Sequence, residues 1–179
     1  MNKIQIIVNN GAGTGSAVAV WKETKEYLQE NGISYNAYLT RYEKHAVKLA
    51  GQICGKIPEG PIYLLVVGGD GTINEVLNGI TDFDRVRLGV IPTGSGNDFA
   101  RNLGILRDTR EDLREITACI DQEQNGEKLQ RIDLGKVSWK GCEKPRIFGI
   151  SAGAGLDAIV CKKALHSKLK KILNRFHLG

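Results

Sequence analysis

The feature that most constrains this chain is a unit that occurs three times: a short apolar run, a glycine-rich loop, then a helix-like stretch. The loops are Asn9-Asn10-Gly11-Ala12-Gly13-Thr14-Gly15, Gly68-Gly69-Asp70-Gly71-Thr72 and Pro92-Thr93-Gly94-Ser95-Gly96-Asn97-Asp98. Continuous apolar runs such as Ile62 to Val67 suit strands buried on both faces. Strand and helix in turn predict βαβ units and a parallel sheet covered on both sides. In such a sheet the carboxyl ends of all strands share one edge, so the loops converge on one crevice. Eight of the 22 glycines of the 179 residues fall in these loops, where backbone must turn sharply or approach a ligand closely.

The same patterning predicts strands over 4–8, 34–39, 62–67 and 88–91. Helices are expected over 17–30, from Thr40 to about residue 51, from Thr72, from about Asn97, and over 110–122. Thr40-Arg41-Tyr42-Glu43 and Thr72-Ile73-Asn74-Glu75 both have capping-box spacing. The pattern changes near 123–130. Beyond it two strands, 130–139 and 146–151, flank a Lys140-Gly141 turn as a hairpin. The expected division is therefore an α/β domain over 1–127 and a second, partial domain over 128–179. A basic amphipathic helix closes the chain, with Cys161, Leu165, Leu169, Ile172 and Phe176 as its apolar stripe. That helix suits packing on a further domain, the preferred reading, or contact with an anionic lipid surface.

Composition removes several classes. No apolar run approaches the roughly 20 residues of a membrane-spanning helix, and the first ten residues lack a signal-peptide cleavage pattern. Cys54, Cys119, Cys142 and Cys161 show no metal-ligand spacing, which leaves reduced thiols in a cytoplasmic protein. The net charge of +5 admits an anionic partner and equally a solvated basic surface.

Glycine-rich loops that open helices expose backbone N–H groups at the positive helix end, which makes them phosphate cradles. No G-x-x-x-x-G-K-[ST] occurs, which excludes a P-loop enzyme. Ser16 stands where a dinucleotide fingerprint needs its last glycine, which disfavours a Rossmann site. A carboxylate inside such a loop, Asp70, repels phosphate unless magnesium bridges the two. Asp98 could join that ion. The alternative for either aspartate is a helix N-cap.

The run Val66 to Val76, with Gly68-Gly69-Asp70-Gly71-Thr72, resembles the diacylglycerol kinase, sphingosine kinase and bacterial lipid kinase family. So does Ile91 to Arg101, with Gly94-Ser95-Gly96-Asn97-Asp98-Phe99-Ala100-Arg101, and the pairing of the two is highly specific. The likeness extends through Arg131-Ile132-Asp133-Leu134-Gly135 and Gly155-Leu156-Asp157-Ala158. It implies a phosphofructokinase-like parallel-sheet nucleotide domain followed by the beginning of an incomplete β-sandwich. It further implies transfer of the ATP γ-phosphate to a lipid hydroxyl with magnesium. By motif, Asn9, Asn10, Gly11, Ala12 and Gly13 would line the nucleotide phosphates. Thr40, Gly69, Asp70, Gly71, Thr72, Ile73, Asn74, Glu75 and Ser95 would complete the ATP site. Asp70, Asp98 and Asp133 resemble the family's magnesium–water network, and Asp70 matches a proposed base in the sphingosine kinase branch. Asn10 departs from the family's usual proline, and Ile150 from its common asparagine. The resemblance also implies more than a hundred further residues after Gly179, including a downstream carboxylate base, so a truncated fragment is expected.

Three functions are compatible with these residues: a lipid kinase with a diacylglycerol-type acceptor, an NAD kinase that shares only G-G-D-G-T, or a non-catalytic nucleotide-binding module. The expected partners are a lipid substrate at a membrane surface, with peripheral membrane contact, and a second copy of the chain as a homodimer. Nucleic acid is not expected.

Overall fold

The computed structural model describes residues 3–11, 16–105, 108–126, 129–155, 158, 159 and 163. Its centre is a four-stranded, wholly parallel sheet made of β1 (Ile4–Val8), β2 (Tyr35–Leu39), β3 (Ile62–Gly68) and β4 (Val86–Pro92), in the order β2-β1-β3-β4. Every residue of β1 and β3 is buried, which is why both read as unbroken apolar runs. The helices are α1 (Ser16–Glu30), α2 (His45–Lys56), α3 (Asp70–Leu77), α4 (Asp98–Asn102) and α5 (Thr109–Gln124).

Two apolar clusters divide the sheet's faces. Ile7, Leu64 and Val66 face α2, α3 and Phe99 of α4. Ile6, Val8, Leu65 and Val67 face Trp21 and Leu28 of α1 and Leu113 and Ile120 of α5. In α1 the buried residues Ala17, Trp21, Thr24 and Leu28 recur at helical spacing. Gly32, at φ 63°, ends that helix in the left-handed conformation, and Ile33 N donates to Leu28 O.

Both capping boxes expected from sequence are absent. Thr40 N instead donates to Val8 O at 2.8 Å, prolonging the β1–β2 ladder, and α2 starts only at His45. Lys44 precedes it in the left-handed region at φ 65°, without a side-chain cap of its own. The cap comes from across space, because Glu75 accepts from Lys44 N at 2.9 Å and from Ala46 N at 3.2 Å. With Glu75 engaged there, Thr72 does not cap α3, which begins two residues earlier after Gly69. Asp108 is a local cap, accepting from Glu111 N at the start of α5.

The hairpin forms, but it is shorter than expected: β5 (Gly135–Val137) pairs antiparallel with β6 (Arg146–Phe148). Val137 and Trp139 are exposed, so little apolar burial extends the pairing beyond three rungs. The expected boundary at 127/128, Leu156, Asp157 and the apolar stripe of the terminal helix lie outside the described residues. Among the described residues, no helix is long and apolar enough to cross a membrane, and Cys54, Cys119 and Cys142 carry free thiols.

Candidate functional site

The chain leaves β1 toward β2 on one side and returns to β3 on the other, so the strand order reverses between β1 and β3. Helix α1, which follows β1, covers one face, while α3, which follows β3, covers the opposite face. A crevice therefore opens outside the carboxyl ends of these strands, the place where open α/β sheets bind ligands.

The three glycine-rich loops meet there through backbone and side-chain contacts. Asn9 N donates to Val67 O at 2.9 Å, and Asn9 Nδ2 donates to Thr72 Oγ1 at 2.8 Å, which ties the first loop to the second. Gly11 N donates to Asn9 Oδ1 at 3.1 Å. Thr93 N donates to Gly68 O at 3.1 Å, tying the second loop to the third. A Cβ added to Gly69 would lie 3.0 Å from Gly94 Cα, and one added to Gly94 would lie 2.9 Å from Gly69 Cα. No side chain fits between these two loops. Asn97, left-handed at φ 54°, closes the third loop by exchanging hydrogen bonds with Gly94 N and Gly94 O at 2.8 and 2.7 Å.

Asp70 opens α3 and faces the start of α4. Its carboxylate accepts from Asp98 N at 3.1 Å and from Phe99 N at 3.0 Å, so it caps the short helix of the third loop. Each carboxylate oxygen keeps a second acceptor position for water, metal or a hydroxyl. Asp98 pairs with Arg101 at 2.9 Å, and Arg101 also donates to Gly96 O at 2.9 Å. The two carboxylates flank Gly96, where an added Cβ would meet Asp70 Oδ2 at 3.2 Å and Asp98 Oδ2 at 3.8 Å.

Two cavities lie along this edge. One, of about 340 Å³, is lined by Asn9, Gly11, Thr40, Arg41, Tyr42, Glu43 and Glu75. The other, of about 290 Å³, lies over Asp70, Asn74, Asp98 and Phe99 and is closed on its far side by Phe148, Gly149, Ile150 and Ser151. The structure thus brings together Asn9, Asn10, Gly11, Thr40, Gly69, Asp70, Gly71, Thr72, Ile73, Asn74 and Glu75 around the edge, with exposed Ser95 on the third loop. Ala12 and Gly13 lie outside the described residues. Asp133 is exposed ahead of β5, and among the described residues no group of three or more His, Cys, Asp or Glu is gathered closely enough for a metal ion. Asp133 therefore joins no such group with Asp70 and Asp98.

The residues present fit a magnesium nucleotide on chemical grounds. The carboxylates of Asp70 and Asp98 are the hard oxygen donors that magnesium takes. Open space fronts the backbone of Gly71 in the first turn of α3, at the positive end of its dipole. Asn10 Oδ1 and Thr93 Oγ1 are buried just beyond the ends of β1 and β4 without a hydrogen-bonding partner among the described residues, and polar atoms so placed are ones a polar ligand can engage.

Arg41, Tyr42 and Glu43 line the larger cavity, although the spacing of their segment predicts a helix. Phe148 to Ser151 were read only as strand. A signal for the first group was present in the position of Thr40 just after a parallel strand, where edge loops belong.

Comparison with known proteins agrees with this geometry. Residues 3–137 match the family described as the diacylglycerol kinase catalytic domain. The chain is 41% identical over 136 residues to a diacylglycerol kinase of Bacillus subtilis (strain 168), covering 73% of this chain and 40% of that protein. It is 32% identical over 169 residues to YtlR of the same organism, provisionally named a lipid kinase, covering 93% of this chain and 52% of that one. A crystal structure of a diacylglycerol kinase from Bacillus anthracis (strain Sterne) superposes with a TM-score of 0.55 at 30% identity, covering 65% of this chain and 39% of that one. The chain spans about half the length of the curated relatives it matches. With three phosphate-type loops gathered at one switch point and the family match running through all of them, the chain belongs to the diacylglycerol kinase catalytic-domain family.

Proposed function

We propose that this chain supplies the nucleotide side of an ATP-dependent lipid kinase that phosphorylates the hydroxyl of a diacylglycerol-type acceptor, giving phosphatidic acid. The observation that carries the reading is the contact of Gly69 with Gly94, which locks two loops into one surface beneath the N-terminus of α3. Phosphoryl transfer asks mainly for positioning and charge neutralisation, and a rigid backbone surface is suited to that.

In this reading Asn9 to Gly13, Gly69 to Thr72 and Ser95 bind the ATP phosphates, while Thr40 and Glu75 stand on the nucleoside side. Asp70 and Asp98 would hold magnesium, with Asp133 acting through water. Bound there, the ion would neutralise charge on the phosphate oxygens. Asp70, already fixed by two amide donors, keeps acceptor capacity toward the hydroxyl proton of the acceptor. Contact with a membrane surface belongs to the same proposal, since a diacylglycerol-type acceptor is met there.

The test is transfer of labelled γ-phosphate by the full-length protein with magnesium and mixed micelles of diacylglycerol or a sphingoid base. Label extracted with the lipid is the expected result. No labelled lipid, with NADP formed from NAD instead, would replace the reading with NAD kinase activity. Tight ATP binding with neither product would leave a nucleotide-binding module.

A further inference from the structure

Asn78 ends α3, and its side-chain amide makes three hydrogen bonds. Nδ2 donates to Asn74 O at 2.8 Å and to Ile147 O at 2.8 Å, while Ile147 N donates to Oδ1 at 3.0 Å. The amide thus meets both polar groups of one residue of β6, much as a neighbouring strand would. The pairing register explains why they are available. Ile147 lies opposite Lys136, between the rungs Gly135–Phe148 and Val137–Arg146. In an antiparallel pair alternate residues turn both N–H and C=O away from the partner strand. Ile147 turns them to Asn78, which occupies an edge that would otherwise stay unpaired. Asn74 Nδ2 adds a longer contact to the same carbonyl at 3.4 Å.

The segment just after Ile147 walls the smaller cavity. Gly149 lies directly on Phe99, where an added Cβ would come within 2.6 Å of the ring. Phe148, Gly149, Ile150 and Ser151 face Asp70 and Asp98 across about 290 Å³. Helix α3 has eight residues, so it is a rigid spacer about 12 Å long. Asp70 stands at one end of it and the Asn78 clamp at the other.

We propose that Asn78 is a positioning residue: by clamping Ile147 it fixes the wall that faces Asp70 and Asp98, and so sets the acceptor side of the reaction. This rests on the phosphoryl-transfer reading above. The larger cavity, lined by Asn9, Thr40 and Glu75, includes no residue of β6, so the nucleoside side of the site does not depend on the clamp.

The experiment measures the KM for lipid acceptor and for ATP in the full-length protein and its Asn78→Ala and Asn78→Asp variants. Asn78→Asp nearly preserves shape but turns an acceptor oxygen toward two carbonyls. Acceptor KM is expected to rise about tenfold in both variants, the scale of losing a partly buried bidentate contact, with ATP KM within about twofold. An unchanged acceptor KM, or a parallel rise in both constants, would overturn the proposal. If the parent protein phosphorylates no lipid, the phosphoryl-transfer reading fails first. Hydrogen exchange then decides the clamp: lost protection at Ile147 in Asn78→Ala, which removes the oxygen its N–H donates to, with α3 still protected, upholds it as a device of the fold, and unchanged protection in that variant overturns it.

Discussion

A Cβ at Gly69 or Gly94 would press on the facing backbone, whereas one at Gly71 would meet nothing within 4 Å. The three glycines therefore answer to different demands, although the sequence presents them alike. Gly69 and Gly94 are required by the protein's own packing, and alanine at either must push two loops apart. Gly71 lies in the first turn of α3 with no left-handed backbone to demand it. Glycine there costs the helix up to about 1 kcal/mol relative to alanine. In the function proposed above a bound phosphate needs that space, and the protein alone does not. Gly71→Ala is accordingly expected to keep or slightly raise the melting temperature while weakening ATP binding about tenfold, a penalty of about 1.4 kcal/mol. Calorimetric titration beside a thermal melt checks both. Unchanged ATP affinity would mean that no phosphate lies against Gly71.

At the scale of elements, Glu75 joins two helices that have no local reason to start where they do. Its carboxylate caps α2 through Lys44 N and Ala46 N while its backbone belongs to α3. Glu75→Ala removes a two-pronged cap and is expected to cost about 1 kcal/mol of stability, as N-cap losses typically do. Amide exchange at Ala46 should quicken as α2 frays, and an unchanged exchange rate there would show that the cap contributes nothing. The same residue shows what could be read from sequence. Strands β1 and β3 were legible because burial on both faces requires apolar residues throughout, and the convergence of the loops came from the parallel topology. The start of α2 was not legible, since its cap lies 29 to 31 residues away and local spacing offered Thr40 and Glu43 instead. The length of β5 and β6 was hidden for a similar reason. It depends on which surfaces cover the hairpin and on Asn78, whose side chain pairs with a residue 69 positions later.

Across the whole molecule the sheet separates its two edges by purpose, with the loops at the carboxyl edge and ionic and polar ties at the other. There Arg85 donates to Ile57 O and Gly60 O, and Arg87 of β4 pairs with Glu123 of α5. Tyr63, beside Arg87 in the β3–β4 register, belongs to this second group. Burial raises its phenol above the ordinary tyrosine range, and the neighbouring Glu123 carboxylate pushes in the same direction. The folded state thus holds the phenolic proton more tightly than the unfolded chain does. Stability from this group is complete below the unfolded value of about 10 and is lost as pH rises through the higher folded value. Five strand steps, about 16 Å, separate Tyr63 from Gly68 at the site. Tyr63→Phe should therefore flatten the alkaline fall in stability while leaving ATP affinity at neutral pH unchanged. Urea unfolding between about pH 8 and about pH 11, compared with the parent chain, measures the first effect. An alkaline slope equal to the parent's would assign the proton to another group. A lost ATP affinity would show that the two edges are coupled, because a substitution at the amino end of β3 would then have reached the loops at its carboxyl end.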